Sequence, residues 1–273
     1  MSTPSPTRVT ALPDPGSPNG SGSVAVAIHI DNVSKVFGHG ANRVHALDRI
    51  NVDVHDGEFV CLLGASGCGK STLLNLVAKL DEPNAGLVEV PSGRTALMFQ
   101  DAALFPWLTV RGNVELALRL AGLPRADRRE RSDELLRMVG LHDFAKKRPH
   151  ELSGGMRQRT ALARALAQDA DVLLMDEPFG ALDAMTRDTL HDELENLWRE
   201  TRKTVLFVTH NVREAARLGD RIVVLTSRPG RVAEIVDVGI ARPRRIDSPE
   251  LATLAARVTD RLREEMLHHG RTH

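Results

Sequence analysis

The segment Gly64-Ala-Ser-Gly-Cys-Gly-Lys-Ser71 decides the fold, because it matches the phosphate-binding pattern G-x-x-x-x-G-K-[S/T]. It follows a continuous apolar run, residues 59–63, and opens a helical pattern that extends from Lys70 to Leu80. In this context the glycines let the backbone curl, so that successive N–H groups point at phosphate oxygens. The N-terminus of the helix adds the positive end of its dipole. The segment therefore predicts a strand, a phosphate loop and a helix.

The residue types in this loop also predict individual roles. Lys70 supplies a point charge to the β- and γ-phosphates, and Ser71 offers a hydroxyl to Mg²⁺. Cys68 stands at a variable position of the pattern, where loop filler is a simpler interpretation than a redox role. The residues predicted to contact the nucleotide here are Gly64, Ala65, Ser66, Gly67, Cys68, Gly69, Lys70, Ser71 and Thr72.

A second apolar run, Val172 to Met175, ends in two carboxylates, Asp176 and Glu177. Neighbouring residues on a strand point to opposite sides, so the two cannot share one task. The natural division gives Asp176 to Mg²⁺ and Glu177 to the attacking water as general base. The alternative is that both simply mark the solvated end of a strand. The phosphate loop upstream favours the catalytic interpretation.

Composition limits the class of protein. The chain has 273 residues, enough for a substantial core, and its 36 basic and 36 acidic residues leave no net charge that would favour a nucleic-acid partner. Two cysteines do not make a disulfide framework, which favours a reducing compartment. We see neither a signal peptide nor an apolar stretch near the roughly 20 residues that span a bilayer. Work at a membrane would therefore require docking to another protein.

The pattern along the chain predicts three regions. Residues 1–25 are rich in Ser, Pro and Gly and indicate a disordered tail. Residues 26–235 hold alternating strands typical of an antiparallel layer, continuous apolar strands typical of a mostly parallel sheet, and a mainly helical stretch at about 101–166. Residues 236–273 form a short extension with a helix that opens at Ser248-Pro249-Glu250.

The segment Leu152-Ser-Gly-Gly-Met-Arg-Gln-Arg159 opens another helix, with Ser153 as its cap. Its free N–H groups make a second helix N-terminus suited to an anion, although the pattern alone favours an ordinary capped helix. Together with the phosphate loop before it and Leu-Leu-Met-Asp-Glu-Pro-Phe after it, this segment resembles the signature of the ABC ATPase family. The resemblance covers about residues 27–235. It implies an α/β P-loop NTPase fold with a mostly parallel core sheet, an antiparallel β side layer and a helical subdomain.

The family's other landmarks occur in order. Phe37 matches the aromatic residue that stacks on adenine, where relatives more often have Tyr, and Gln100 matches the glutamine that senses Mg²⁺ and the attacking water. Asp183, in Gly180-Ala-Leu-Asp183, matches the acidic member of the D-loop at the dimer interface. His210 matches the switch histidine that contacts the γ-phosphate. The residues that the resemblance assigns to the partner's ATP are Leu152, Ser153, Gly154, Gly155 and Met156.

This resemblance implies an ATPase that works as a head-to-tail homodimer with Mg²⁺, on the cytoplasmic face of the inner membrane. Its partners would be two transmembrane permease subunits and, indirectly, an extracytoplasmic solute-binding protein, with no nucleic acid. A stand-alone cassette is similar to importer subunits, although a lipoprotein or efflux exporter and an iron–sulfur assembly ATPase remain alternatives.

Finer features resemble the nitrate, sulfonate and taurine import ATPases. They are the stretch Asp101-Ala-Ala-Leu-Phe-Pro-Trp-Leu-Thr-Val110, the stretch Val224-Leu-Thr-Ser-Arg-Pro-Gly-Arg-Val232, the segments Arg242-Pro-Arg244 and Asp247-Ser-Pro-Glu-Leu251, and a short C-terminus. The arginines Arg228, Arg231 and Arg242 could equally form a solvated basic face. We also expect residues 104–108, with Trp107, either to line the groove for a permease coupling helix or to pack inside the helical subdomain.

Overall fold

The computed structural model describes residues 25–180 and 182–270, so the predicted tail lies outside the described residues except for Ala25. The strands are β1 Val26–Phe37, β2 Val44–His55, β3 Phe59–Leu63, β4 Ala85–Glu89, β5 Thr95–Met98, β6 Val172–Asp176, β7 Thr204–Thr209, β8 Arg221–Leu225 and β9 Val232–Asp237. The helices are α1 Lys70–Val77, α2 Val110–Leu120, α3 Arg125–Met138, α4 Gly154–Leu166, α5 Ala184–Thr201, α6 Val212–Leu218 and α7 Pro249–Gly270.

A six-stranded sheet with the order β5-β6-β7-β3-β8-β9 forms the centre of the molecule. Its strands pair in parallel, except that β9 runs antiparallel to β8 at one edge. Every residue of β3 and β7 is buried, because both faces of the sheet are covered, and this is why their sequences are continuous apolar runs. Alternate residues of β3 enter different cores: Phe59 and Cys61 lie in one, Val60 and Leu62 in the other.

The second core lies between the central sheet, helix α1 and a three-stranded antiparallel sheet with the order β2-β1-β4. Ile28 and Ile30 of β1 and Val52 and Val54 of β2 are buried there, as their alternation predicts. The predicted side layer is confirmed. Strand β4 carries no such alternation, because most of its residues are exposed, and its position cannot be read from the sequence.

Helices α2, α3 and α4 fill the chain between β5 and β6, which confirms the predicted mainly helical stretch. The side chain of Thr109 caps α2 by accepting a hydrogen bond from the Gly112 amide at 3.0 Å. Val114 of α2 and Leu135 of α3 are buried in the same core as α4. The bounds of a separate helical subdomain at about 101–166 stay a prediction.

Helix α7 closes the chain against the same core as the central sheet, through Leu251 and Val258. Ser248 caps it by accepting a hydrogen bond from the Leu251 amide at 3.3 Å, as the sequence predicts. Strand β9 runs across the predicted boundary at residue 235, and the division into domains remains a prediction. None of the described helices combines the length and the hydropathy that a membrane span requires.

Candidate functional site

The phosphate loop (residues 64–71) connects the carboxyl end of β3 to α1, at the centre of the parallel sheet. Gly67 and Gly69 have φ angles of +76° and +101°, which side chains rarely adopt. A Cβ on Gly69 would also lie 2.8 Å from the carbonyl oxygen of Ala46. The loop therefore needs glycine both for its curl and for its close approach to β2.

Lys70, at the start of α1, is buried inside the curve of this loop. Its ammonium donates hydrogen bonds to the carbonyl oxygens of Gly64, at 2.8 Å, and Ala65, at 2.9 Å. The same nitrogen lies 3.9 Å from a carboxylate oxygen of Glu177. The lysine thus brings a positive charge to the point where the phosphate loop meets the end of β6.

The two carboxylates at the end of β6 have different partners. Burial raises the pKa of Asp176 above its usual range; a hydrogen bond with Ser71 acts in the opposite direction, and the charge of Glu177 raises it further. Glu177 leaves the strand with a φ of +43°, a conformation uncommon for non-glycine residues. Its carboxylate lies 2.9 Å from Nδ1 of His210. The geometry agrees with a division of tasks, whose assignment stays a prediction.

His210 follows β7 and lies above a buried polar network that the sequence does not reveal. The hydroxyl of Thr209 and Nε2 of His191 both bond to the carboxylate of Glu214, the latter at 2.6 Å. Glu214 and His191 are almost fully buried, so the carboxylate of Glu214 takes its partners from these side chains away from water, while Nδ1 of His191 has no hydrogen-bond partner in the described structure. These residues come from α5, β7 and α6, and no local motif predicts that they meet.

A cavity of about 310 Å³ brings together Phe37, Gln100, both carboxylates and most of the phosphate loop, but His210 is not among its lining residues. Phe37, which is 44% exposed, stands at its edge, and the ammonium of Lys35 lies 5.1 Å from the centre of that ring. The backbone oxygen of Gln100, another lining residue, accepts a hydrogen bond at 2.8 Å from Gln158 of α4. The lining residues are Phe37, Val44, Ala46, Ser66, Gly67, Gly69, Lys70, Ser71, Thr72, Gln100, Asp176, Glu177 and Arg228.

The segment 152–156 is not among the described residues that line this cavity. Ser153 caps α4 by accepting a hydrogen bond from the Met156 amide at 3.2 Å, as predicted. A Cβ on Gly155 would lie 2.6 Å from Cγ2 of Thr186, so this glycine packs closely against the first turn of α5. Asp183 caps α5 by accepting a hydrogen bond from the Thr186 amide. Ala181, two residues before it in the predicted D-loop, lies outside the described residues.

Sequence reasoning did not place Val44, Ala46 or Arg228 at the site, although all three line the cavity. Arg228 lies in the loop between β8 and β9, and β8 pairs directly with β3. A loop at the carboxyl end of a strand next to the phosphate-loop strand is a usual ligand position in such sheets. That signal could be used only if the strand order were known from the sequence.

The donor atoms at the site fit a divalent cation of the magnesium type. The hydroxyl of Ser71 and the carboxylate of Asp176 are hard oxygen donors and line the same cavity. No group of three or more His, Cys, Asp or Glu side chains suited to a metal occurs in the described residues. A cation here would therefore take its remaining ligands from phosphates and water, as Mg²⁺ commonly does.

Comparison with known proteins identifies the family and the fold. Residues 47–180 match the family model described as ABC transporter. The chain is 47% identical, over 223 residues, to the taurine import ATP-binding protein of Rhizobium johnstonii, covering 79% of this chain and 85% of that protein. The chain belongs to the ABC transporter ATP-binding proteins. This ABC ATPase is also 40% identical, over 255 residues, to the nitrate import ATP-binding protein of Synechococcus elongatus, covering 88% of its own length and 93% of that protein.

A solved structure supports the same conclusion. The dimeric post-hydrolysis state of an ATP-binding cassette, bound to ADP and Pi, matches this ABC ATPase with a TM-score of 0.71 at 35% identity. The match covers 78% of this chain and all of the other. The predicted fold class and the predicted ATPase activity are confirmed.

Proposed function

We propose that this ABC ATPase drives the import of a small oxyanion, such as taurine, another sulfonate or nitrate, through a separate membrane permease. The observation that carries the ATPase part is the meeting of Lys70, Ser71, Asp176 and Glu177 in one cavity. The import part is supported by the likeness to taurine and nitrate import ATP-binding proteins. Such a subunit would lie on the cytoplasmic face of the inner membrane and serve an extracytoplasmic solute-binding protein through the permease.

In this proposal the loop amides and Lys70 bind the phosphates, and Ser71, Gln100 and Asp176 hold Mg²⁺, which when bound offsets the negative charge of the phosphates. Glu177 accepts a proton from the attacking water. His210, whose Nδ1 lies 2.9 Å from Oε2 of Glu177, orients that carboxylate and contacts the γ-phosphate. Phe37 stacks on the base. Catalysis of this kind depends mainly on positioning and on stabilising charge.

A second copy of the chain completes the site in this proposal. The N-terminus of α4, with Ser153 as its cap, offers amides suited to an anion yet does not line its own cavity. In a head-to-tail dimer, residues 152–156 would bind the nucleotide of the other subunit, and Asp183 would lie at the interface. The dimeric relative bound to ADP and Pi supports a dimer.

The permease would bind at an apolar groove beside the helical stretch. A cavity of about 460 Å³ is lined by Leu80, Phe99, Phe105 and Leu120, each of them at least 37% exposed. Trp107 is 69% exposed and its ring centre lies 5.5 Å from that of Phe105. Contiguous exposed apolar side chains of this kind mark sites of contact with other proteins. Trp107 is therefore better explained as a docking residue than as internal packing.

The test is uptake of labelled taurine, an alkanesulfonate and nitrate by cells that lack the protein and carry either the wild type or Glu177→Gln. We expect uptake of one of these solutes to return with the wild type only. If cells with and without the protein took up all three solutes equally, oxyanion import would be contradicted. Full ATP turnover by purified Lys70→Ala would separately contradict the assignment of the phosphate loop.

A further inference from the structure

The loop between β8 and β9, which we call the return loop (residues 226–231), packs directly on the phosphate loop. A Cβ on Gly230 would lie only 2.2 Å from the carbonyl oxygen of Cys68, so the two backbones are in contact. The Gly230 amide donates to the carbonyl of Ala46, and the Asp48 amide donates to the carbonyl of Gly230, each at 2.9 Å. The return loop is therefore fixed to both β2 and the phosphate loop.

Its internal contacts make the return loop well ordered. The hydroxyl of Thr226 donates to the carbonyl of Pro229 and accepts a hydrogen bond from the Arg231 amide, both at 2.9 Å. The guanidinium of Arg231 pairs with the carboxylate of Asp48 in β2. Arg228, between these anchors, is carried by a loop whose position does not depend on its own side chain.

Arg228 lines the same cavity as Lys70 and Ser71. Its Nε donates to the carbonyl of Gly67 at 3.2 Å, and Nη2 lies 3.2 Å from the position a Cβ of Gly67 would occupy. Within the described part of the chain, no carboxylate comes within 4.0 Å of this guanidinium, whereas Arg231 and Arg242 are paired. The side chain thus brings an unneutralised positive charge to the rim of the phosphate loop.

We propose that Arg228 is a nucleotide-binding residue whose guanidinium contacts the phosphate chain of bound ATP or ADP. This inference rests on the ATP site proposed above. Guanidinium groups bind phosphate oxygens through several donors at once. Within the described residues only Nε of Arg228 makes a hydrogen bond, so the donors on Nη1 and Nη2 are available to a phosphate. Arg228 supplements Lys70 in the same cavity, so the return loop is part of the nucleotide site.

The experiment measures ADP binding to the full-length protein by calorimetry, because ADP is not hydrolysed. Arg228→Ala is expected to weaken binding about tenfold, as for the loss of one charge-assisted contact. Arg228→Lys should keep most of the affinity and Arg228→Gln should behave like the alanine variant, because the charge matters. The loss should shrink as salt is raised. Arg245→Ala removes an exposed arginine whose one side-chain partner among the described residues is Asp247, and should bind ADP like the wild type.

Two results would overturn the inference: ADP binding by Arg228→Ala within twofold of the wild type, or equal recovery by the lysine and glutamine variants. The second would mean that only the neutral hydrogen bond to Gly67 matters. Lys70→Ala separates this failure from that of the site itself. If the wild type binds ADP and Lys70→Ala does not, the phosphate site stands whatever Arg228 does. If the wild type binds no ADP, the proposed site fails as well.

Discussion

Replacing Gly230 with alanine tests whether the return loop supports the phosphate loop. The new Cβ would lie 2.2 Å from the carbonyl oxygen of Cys68 and 3.2 Å from Cδ2 of Leu47. A carbon and a carbonyl oxygen ordinarily lie about 3.3 Å apart, so the two loops must separate by about 1 Å. The atom opposite is backbone, and no flexible side chain can move to absorb the change.

The separation puts specific contacts at risk. The two backbone hydrogen bonds between Gly230 and β2 would lengthen, and the buried packing around Cys68 would loosen. Overpacking of this kind costs about 2 kcal/mol. For a domain of this size that corresponds to a fall in Tm of about 4–8 °C. Because Cys68 belongs to the phosphate loop, ADP binding should weaken at a temperature where the variant is still folded.

Gly239→Ala is the matched control, since a Cβ there meets nothing within 4 Å. Both substitutions restrict the unfolded chain in the same way, so their difference isolates the clash. Thermal unfolding by circular dichroism and ADP titration by calorimetry would be run on both variants. If Gly230→Ala matched Gly239→Ala in Tm and in ADP affinity, the return loop would not be a support of the phosphate loop.

Three further predictions concern other parts of the molecule. Trp107→Ala should leave ATP hydrolysis by the isolated subunit unchanged but reduce permease binding in a pull-down and solute uptake in cells; intact binding and uptake would reject the docking role. Arg244→Met should lower the free energy of unfolding by about 3 kcal/mol in urea titrations. The reason is the loss of a buried guanidinium that donates hydrogen bonds to five backbone carbonyls. A change below about 1 kcal/mol would contradict this prediction. Asp176→Asn should abolish Mg²⁺-dependent hydrolysis while ADP binding in EDTA stays near that of the wild type, and equal turnover would remove Asp176 from the metal site.

The central sheet could be predicted from the sequence because burial on both faces demands continuous apolar runs. β3 and β7 show this pattern, and their ends carry the phosphate loop and His210. Strand β4 could not be predicted, because it is held by backbone pairing with β1 while its side chains remain largely exposed. Pairing of this kind leaves no hydrophobic periodicity in the sequence.

The site divides in the same way. Lys70 and Glu177 could be predicted because each stands in a contiguous motif whose neighbouring residues indicate its chemistry. Arg228 could not be distinguished from a solvated basic face, because its place in the cavity depends on β8 lying next to β3. The network of His191 and Glu214 likewise depends on how α5 and α6 pack. Non-local placement of this kind follows from topology and not from spacing.

The hydrogen bonds around Gln100 offer a physical link between the nucleotide cavity and the apolar groove. The backbone oxygen of Gln100 accepts a hydrogen bond from the side chain of Gln158 in α4. Further along the same helix, the guanidinium of Arg164 donates hydrogen bonds to the carbonyls of Ala102 and Ala103. Arg164 also lines the groove. A shift of the Gln100 backbone on nucleotide binding would therefore disturb its hydrogen bond to α4. Residues 152–156 lie at the N-terminus of the same helix, so in the proposed assembly α4 would connect the dimer interface with the proposed permease groove.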